Sequence, residues 1–294
     1  MFKGSMVALV TPYANGELDY KTLDALVDFH IEAGTDVIVP CGTTGESPTL
    51  THAENDQVVA AVVKRAKGKI AILAGTGSNS TAEALQMTRN ARRNGADGSL
   101  LVVPYYNKPP QEGIYRHFKT IAQSVELPVI LYNIPGRSVI NMTAETTLRL
   151  ANDVDNIVAV KEASGNMGQI ATVLNEVPAD FIVLSGDDAV TIPVAALGGR
   201  GVISTAGNEI PGEMTAIAQA CLRNDFPAAR AIQAKFLPLM NINFVESNPI
   251  PVKAAMALMG LLDPVWRLPM VPPSQANLAK IESVLQSVGL LVHQ

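Results

Sequence analysis

Cysteine is scarce in this sequence, since only Cys41 and Cys221 occur among its 294 residues. Two cysteines exclude a disulfide-rich scaffold. One of them follows a predicted strand and the other lies in a predicted helix. We therefore expect free thiols, a reducing cytosol and a cytoplasmic location rather than a disulfide between them.

Positive charge and long apolar runs are also scarce. The chain has 22 Lys and Arg against 27 Asp and Glu, a formal charge of -5. This balance provides no basic face for nucleic acid or an anionic membrane. No apolar stretch reaches about 18 residues, and Met1–Val10 lacks the basic region and cleavage site of an export signal. We expect small-molecule partners, with no nucleic acid and no membrane.

Histidine is equally rare, and its placement bears on metal binding. The four histidines, His30, His52, His117 and His293, fall in helix-like segments or at the terminus. Because catalytic zinc is held by histidines converging on one site, this distribution gives little support to a metal-dependent enzyme. We expect no metal.

Short runs rich in Val, Ile and Leu are abundant, and helical patterns such as Lys21–Ala33, Glu54–Lys67 and Ala82–Asn94 separate them. Continuous apolar runs are typical of strands buried on both faces, and alternation with helices indicates a parallel sheet. Eight units of this kind predict a (β/α)₈ TIM barrel. The predicted strands are Met6–Val10, Val37–Val39, Ile70–Ala74, Leu100–Val103, Val129–Tyr132, Ile157–Val160, Phe181–Leu184 and Val202–Ser204.

The pattern changes after the eighth predicted strand, where helices follow one another without strands between them. We expect a catalytic barrel over residues 1–224 and a C-terminal helical region over residues 225–294. Met214–Leu222 is then the last helix of the barrel. The helices predicted beyond it are Ala228–Asn241, Pro251–Leu261 and Gln275–Val288.

Lys161 and Tyr132 end neighbouring predicted strands. Active sites of barrel enzymes lie at the C-terminal ends of the strands. Desolvation there favours the neutral, nucleophilic form of a lysine, whose pKa is ordinarily about 10.4. Tyr132 lies four residues beyond Pro128 and Lys161 four residues beyond Ile157, which predicts that the two side chains meet, so that the phenol could move protons for the amine. The alternatives are an ion pair of Lys161 with Glu162 or another carboxylate, and a packed structural tyrosine.

Two loops at the same end of the barrel carry groups that bind anions. The loop Gly42–Ser47 offers glycine turns, backbone N–H groups and threonine hydroxyls to a carboxylate, although a plain βα loop is also compatible. Arg137 could bind a second carboxylate through two N–H groups, or could be solvated. Gly75-Thr76-Gly77 lacks the third glycine and the early βαβ unit of a dinucleotide site. We expect no cofactor.

Three segments together resemble the motifs of one family. Gly42-Thr43-Thr44-Gly45-Glu46-Ser47, Tyr132-Asn133-Ile134-Pro135-Gly136-Arg137 and Lys161-Glu162-Ala163-Ser164-Gly165 look like those of the dihydrodipicolinate synthase (4-hydroxy-tetrahydrodipicolinate synthase) family, within the pyruvate-dependent class I aldolases. The resemblance extends from Gly4-Ser5 to Pro249-Ile250-Pro251-Val252-Lys253. Pro104-Tyr105-Tyr106-Asn107 with Arg137 favours the synthases over the N-acetylneuraminate lyases and sugar-acid aldolases.

The resemblance implies an activity without a cofactor. Lys161 would form a Schiff base with pyruvate, and the enamine would condense with L-aspartate 4-semialdehyde in lysine and diaminopimelate biosynthesis. Thr43, Tyr132 and Tyr106 would form a relay of hydroxyls. Tyr106 would come from a neighbouring subunit, which implies at least a dimer and usually a homotetramer.

The resemblance also implies the binding residues. Thr44, with the Thr43 backbone, would hold the pyruvate carboxylate, and Arg137 would hold that of the semialdehyde. Gly186 and Ile203 would line the pyruvate pocket through main-chain atoms.

Many family members are inhibited by lysine at a dimer interface. The corresponding residues here are Ser47, Pro48, His52, Asn55, Asn79, Glu83 and Tyr105. Two of them depart from the pattern, which has alanine at position 48 and histidine at position 55, and proline lacks an N–H donor. We expect weak or absent inhibition by lysine.

Two other functions remain open. The chain could be another pyruvate aldolase, acting on a sugar acid, or a barrel that binds a keto acid without catalysis. A barrel of the second kind should have lost the lysine, the tyrosines or the carboxylate-binding groups, and this sequence retains all of them.

Overall fold

The structure is a computed structural model that describes residues 1–291. These residues form ten strands, numbered in chain order. Strands β1 to β10 are Gly4–Ala8, Tyr13–Ala14, Glu17–Leu18, Val37–Val39, Ala71–Gly75, Gly98–Val102, Val129–Asn133, Ile157–Glu162, Ile182–Ser185 and Gly201–Ser204. Helices α1 to α12 are Tyr20–Glu32, His52–Ala66, Thr81–Asn94, Gln111–Gln123, Pro135–Ser138, Ala144–Asp153, Met167–Glu176, Thr191–Ala196, Pro211–Leu222, Phe226–Ile242, Ile250–Leu258 and Gln275–Ser287. Short 3₁₀ turns cover Ser47–Thr49, Asp188–Val190 and Ala206–Asn208.

Eight of the strands close into a parallel barrel. Their order is β1-β10-β9-β8-β7-β6-β5-β4, while β2 and β3 form a separate antiparallel hairpin. This confirms the predicted (β/α)₈ barrel. The largest error in the predicted strands is at the first one, which spans Gly4–Ala8 rather than Met6–Val10 and is thus displaced by two residues at both ends. Gly4 pairs with Gly201, where the backbones approach too closely for a side chain on Gly201. Apolarity alone therefore could not mark this strand start.

The barrel interior is apolar from its base to the level of the strand ends. One buried cluster fills it, with Phe2 at the base and Tyr132 near the top. The opposite faces of the strands pack against the surrounding helices in separate clusters. Because side chains alternate along a strand, every second residue of a barrel strand points into this interior. The inner cluster comprises Phe2, Met6, Ala8, Val37, Val39, Leu73, Leu100, Ile130, Tyr132, Ala159, Leu184 and Ile203.

Helices α10 to α12 follow the last strand and pack on the barrel. They share a buried cluster with α9 and β10, to which Val202, Met214, Phe236, Ala255 and Leu285 belong. The division at residue 224 stays a prediction. Within the described chain, no helix has the length and apolar character needed to cross a membrane.

Candidate active site

Lys161 and Tyr132 lie side by side at the ends of two adjacent strands. The register of β7 and β8 pairs Tyr132 with Lys161. It does so through an irregularity, because Val129 pairs with Ile157 whereas Ile130 pairs with Ala159. The extra residue in β8, Val158, shifts the register so that Lys161 and Tyr132 both point inward. Nζ of Lys161 lies 4.2 Å from the centroid of the Tyr132 ring.

The amine of Lys161 is buried without a counter-ion. Its residue is only 6% exposed, and it forms no ion pair with any of residues 1–291. Glu162 points to the opposite side of the strand, where Oε1 accepts from Asn133 at 3.0 Å and Oε2 from Gln169 at 3.0 Å. Burial raises the pKa of Glu162. A Lys161–Glu162 pair is therefore absent, and the amine faces the interior of the barrel.

A cavity opens above these two residues at the C-terminal ends of the strands. Residues from seven of the eight barrel strands or the turns that follow them, together with residues from the C-terminal region, surround it. It is lined by Ala8, Val39, Gly42, Thr43, Thr44, Leu100, Tyr132, Ile134, Arg137, Lys161, Gly186, Thr205, Phe244 and Asn248. The structure thus brings together six of the eight residues predicted for catalysis and substrate binding.

The loop after β4 presents an anion-binding surface to this cavity. The amide N–H groups of Thr43 and Thr44 donate to no backbone acceptor within residues 1–291, whereas Glu46 and Ser47 close the turn by donating to Thr43 O and Gly42 O. Free N–H groups at the wall of a cavity are suited to a carboxylate. The hydroxyl of Thr44 lies beside them and is buried. The arrangement supports the predicted carboxylate cradle.

This loop is held in an unusual backbone conformation. Cys41 and Glu46 have φ angles of 57° and 54°, in the left-handed region that few residues other than glycine adopt. Gly75 on the next strand lies against it, and a Cβ there would stand 2.2 Å from Cys41 O. Strained backbone persists only where its surroundings enforce it. The contacts of Glu46 provide that enforcement.

Glu46 and Lys253 form a fully buried ion pair beneath the loop. Oε1 of Glu46 lies 2.5 Å from Nζ of Lys253, and the side chains are 1% and 0% exposed. Lys253, in α11, also donates to Thr11 O at 3.1 Å. Burial lowers the pKa of Lys253, and the Glu46 carboxylate opposes that shift. One lysine of the C-terminal region therefore joins two loops at the top of the barrel.

Replacing Lys253 with methionine should strongly destabilise the protein. The substitution leaves the Glu46 carboxylate buried and unpaired, a change that typically costs about 3–5 kcal/mol. Urea unfolding followed by circular dichroism measures it. The double variant Glu46→Gln with Lys253→Met removes both charges and should recover most of the loss. Equal stability of Lys253→Met and the unmodified protein would contradict a structural role for the pair.

Arg137 lies at the mouth of the cavity. It is exposed, and its Nη2 donates to the main-chain oxygen of Asn248 at 2.9 Å. Phe244, which is 49% exposed, lines the same mouth. Sequence reasoning missed Thr205, Phe244 and Asn248. The turn signal at Asn248-Pro249 was visible in the sequence, but nothing local in it indicates contact with loops more than 100 residues away.

The two predicted main-chain contacts differ in their surroundings. Gly186 lines the cavity, and a Cβ at this position would stand 2.6 Å from Cβ of Ala163, so that only glycine fits. Ile203 is 1% exposed and packs in the inner cluster of the barrel. Its side chain is not among those that line the cavity, and a role for its main chain stays a prediction.

Tyr106 lies outside the cavity of its own chain. It is 87% exposed, in the loop after β6, with a φ angle of 71°. A second, smaller cavity leads from Tyr132 and Thr43 toward this side of the barrel, past Ser47 and Gly77. A large exposed aromatic side chain on a strained loop is unusual for an isolated surface and is compatible with a site that a second chain completes.

The residues predicted for lysine regulation lie around the same side. Glu83 accepts from Ser78 Oγ at 2.8 Å and lies 4.0 Å from His52. Asn55 is buried, and its Nδ2 donates to Gly75 O at 3.4 Å. Pro48 is the second residue of the 3₁₀ turn Ser47–Thr49. Ser47, Asn79 and Tyr105 are half-buried.

The three histidines of the described chain, His30, His52 and His117, do not line the cavity. His30 and His117 are buried, and desolvation lowers their pKa values to about 3 and about 4. His52 is exposed on α2, and His293 lies outside the described residues. In the described part of the chain, no group of three or more His, Cys, Asp or Glu side chains is placed to hold a metal ion.

Comparisons with known proteins agree with this geometry. The family model of the dihydrodipicolinate synthetase family matches residues 1–288. The 4-hydroxy-tetrahydrodipicolinate synthase of Syntrophotalea carbinolica is 51% identical over 99% of both chains. The crystal structure of the dihydrodipicolinate synthase of Aquifex aeolicus has a TM-score of 0.98 at 47% identity, covering 100% of both chains. That of Acinetobacter baumannii, complexed with pyruvate, has a TM-score of 0.97 at 42% identity, covering 99% of this chain and all of that one. Motifs, fold and full-length similarity agree, and the chain belongs to the dihydrodipicolinate synthetase family.

Proposed function

We propose that the chain is a lyase that condenses pyruvate with L-aspartate 4-semialdehyde to form 4-hydroxy-tetrahydrodipicolinate, in the route to diaminopimelate and lysine. The observation that carries the proposal is the amine of Lys161, buried without a counter-ion against Tyr132 and beside a carboxylate cradle. A nucleophilic amine and an anion site within one small cavity are suited to a keto acid. The activity requires no cofactor.

In the first half of the reaction, the carboxylate of pyruvate accepts hydrogen bonds from the Thr43 and Thr44 amides and from the Thr44 hydroxyl. The ketone carbon then faces Nζ of Lys161. The neutral amine adds to this carbon, a proton reaches the ketone oxygen to give a carbinolamine, and water leaves to give the iminium. Tyr132, which lines both cavities together with Thr43, would donate and accept these protons.

In the second half, the iminium makes the methyl group acidic, and loss of one proton gives the enamine. The enamine carbon attacks the aldehyde carbon, and the aldehyde oxygen takes a proton. The substrate's amino group then attacks the iminium carbon and displaces Lys161, which closes the ring and releases the enzyme. Arg137 at the mouth is suited to bind the carboxylate of the semialdehyde.

We further propose that the chain forms a homo-oligomer, a tetramer built from two dimers, in which Tyr106 enters the site of the partner subunit. Neither Tyr106 nor any other exposed phenol lines the cavity of its own chain within residues 1–291. The relay of Thr43, Tyr132 and Tyr106 would then be complete only in the oligomer.

Subunit mixing tests the origin of Tyr106. Lys161→Ala and Tyr106→Phe should each be weakly active or inactive alone. A hybrid of the two contains one subunit with an intact Lys161 that receives an intact Tyr106 from its partner. Dissociating and reassociating the two variants should therefore restore activity. The proposal would be contradicted if verified hybrids showed no activity. It would also be contradicted if the unmodified enzyme were fully active at a concentration at which analytical ultracentrifugation shows a monomer.

Lysine should inhibit the enzyme weakly or not at all. The Asn55 amide is buried against Gly75, Pro48 provides no N–H donor, and Glu83 is already engaged by Ser78. Little is left to bind an amino acid tightly at this position. A steady-state titration with L-lysine measures the effect, and strong inhibition at low lysine concentration would show that the expectation is wrong.

The substrate is tested by product formation from pyruvate and L-aspartate 4-semialdehyde, with a reductase that consumes the product as reporter. We expect turnover with this pair and none with N-acetylmannosamine or a simple sugar aldehyde in place of the semialdehyde. Turnover of pyruvate with the sugar aldehyde but not with the semialdehyde would assign the chain to the sugar-acid aldolases. Binding of pyruvate without turnover of any aldehyde would indicate a barrel without catalysis.

A further inference from the structure

Asn248 contacts both of the side chains proposed to bind substrate carboxylates. Its Nδ2 donates to Oγ1 of Thr44 at 2.9 Å, and its main-chain oxygen accepts from Nη2 of Arg137 at 2.9 Å. It is 5% exposed, lines the cavity, and stands 204 residues after Thr44. A residue from the C-terminal helical region is therefore part of the cavity wall.

The contact with Thr44 determines which way the threonine hydroxyl points. A hydroxyl has one hydrogen and two acceptor lone pairs. Because the amide of Asn248 donates to this oxygen, the hydroxyl hydrogen must point elsewhere. Thr44 Oγ1 has no other hydrogen-bond partner within the described residues. The hydrogen is thus free to point into the cavity, where the carboxylate cradle lies.

The orientation of the Asn248 amide is itself favoured by its surroundings. Oδ1 of Asn248 is buried and has no partner among residues 1–291. Turning the amide over would put two N–H hydrogens where this single acceptor now stands. Leaving two buried donors unsatisfied costs more than leaving one acceptor, so the arrangement in which Asn248 donates to Thr44 is preferred.

The backbone around Asn248 is fixed independently of its side chain. Ile250 N donates to Ser247 O at 2.9 Å, and Lys253 N donates to Pro249 O at 3.1 Å. The buried pair of Lys253 with Glu46 then attaches this segment to the loop that carries Thr44. A substitution of the Asn248 side chain should leave this framework, and the main-chain contact with Arg137, in place.

We propose that Asn248 is a positioning residue for the keto acid: by donating to Thr44 Oγ1, it commits the Thr44 hydroxyl to act as a donor toward the substrate carboxylate. The inference rests on the proposed function, in which pyruvate binds at Thr44. Substituting the Asn248 side chain should affect only the half-reaction of pyruvate. The contact with Arg137, which binds the other substrate, is made by the main chain of Asn248 and is retained.

Ping-pong kinetics separate the two half-reactions, since kcat/KM for pyruvate reports the first and kcat/KM for the semialdehyde the second. Loss of an orienting hydrogen bond in Asn248→Ala should lower kcat/KM for pyruvate by about tenfold. Asn248→Asp should lower it further, because a carboxylate accepts the Thr44 hydrogen and repels the substrate. In both variants kcat/KM for the semialdehyde should stay equal to that of the unmodified enzyme within about twofold.

A double-mutant cycle with Thr44→Val shows whether Asn248 acts through Thr44. In the Thr44→Val background, Asn248→Ala should have no further effect on kcat/KM for pyruvate beyond about twofold. Asn243→Ala is the matched control, since Asn243 is a fully buried amide of the same region that bonds Glu209 instead. It should leave kcat/KM for pyruvate unchanged.

Three outcomes overturn the inference. They are multiplicative effects of Thr44→Val and Asn248→Ala, an equal fall in kcat/KM for both substrates, or an unchanged kcat/KM for pyruvate in Asn248→Asp. In each of these cases the proposed function stands if the unmodified enzyme still turns over pyruvate and the semialdehyde. If the unmodified enzyme turns over neither and borohydride traps no pyruvate on it, the proposed function fails, and the inference fails with it.

Discussion

Lys161→Met is expected to abolish condensation, with kcat reduced by at least about 10⁴-fold, in line with the loss of a covalent nucleophile in other enzymes. No other amine lines the cavity among the described residues, so no second lysine can form the imine. Methionine is chosen because it is close to lysine in volume and apolar, and therefore fills the same buried space. Product formation from pyruvate and the semialdehyde, with the reductase as reporter, measures the loss.

Two controls accompany this variant. Lys280→Met removes an exposed lysine that bonds only Asn277, and it should retain full activity. Thermal unfolding of Lys161→Met should show no loss of stability, because removing an unpaired buried amine relieves a desolvation cost. Turnover by folded Lys161→Met at a rate near that of the Lys280→Met control would contradict covalent catalysis by this lysine.

Tyr132→Phe should lower kcat by about 10²–10⁴-fold, the range typical for loss of a general acid–base group. The phenyl ring is retained, so the packing against Lys161, 4.2 Å from the ring centroid, should persist. Without the hydroxyl of Tyr132, no phenol assists the proton transfers of carbinolamine formation and dehydration. The rate of imine formation with pyruvate alone, measured by rapid mixing, should therefore also fall in Tyr132→Phe.

Tyr115→Phe is the matched control for the phenol. Tyr115 is also buried, but its hydroxyl donates to Asp153 at 2.7 Å on the outside of the barrel. This variant should keep kcat. Imine formation at the normal rate in Tyr132→Phe would show that another group moves the protons.

The strand ends could be predicted from the sequence because barrel geometry is repetitive. Apolar runs mark the strands, the strand ends mark the site, and counting residues along two neighbouring strands brought Tyr132 beside Lys161. β8 contains an extra residue, Val158, which moves the residue opposite Tyr132 one position along the chain. The count along the neighbouring strand began at Pro128, one residue before β7 begins, and this offset compensated for the extra residue. An irregularity of this kind leaves no mark in an apolar run.

The contribution of the C-terminal region could not be predicted from local pattern. Asn248 and Lys253 correspond in the sequence to a turn residue and a helix residue, and the side chains that they contact, Thr44 and Glu46, lie about 200 residues earlier. Hydrophobic periodicity reports which face of an element is buried, and it is silent on the partner that a polar side chain meets. The same limit left open which partners Glu162 has, and the structure shows that they are Asn133 and Gln169 rather than Lys161.

Borohydride reduction in the presence of pyruvate, followed by mass spectrometry of the peptides, is the decisive test of Schiff-base formation on Lys161. We expect one pyruvyl group per chain, reduced to a stable secondary amine on Lys161, and none in Lys161→Met. Capture of pyruvate on a different lysine, or no capture by an enzyme that still forms product, would contradict the Schiff-base mechanism proposed for this site.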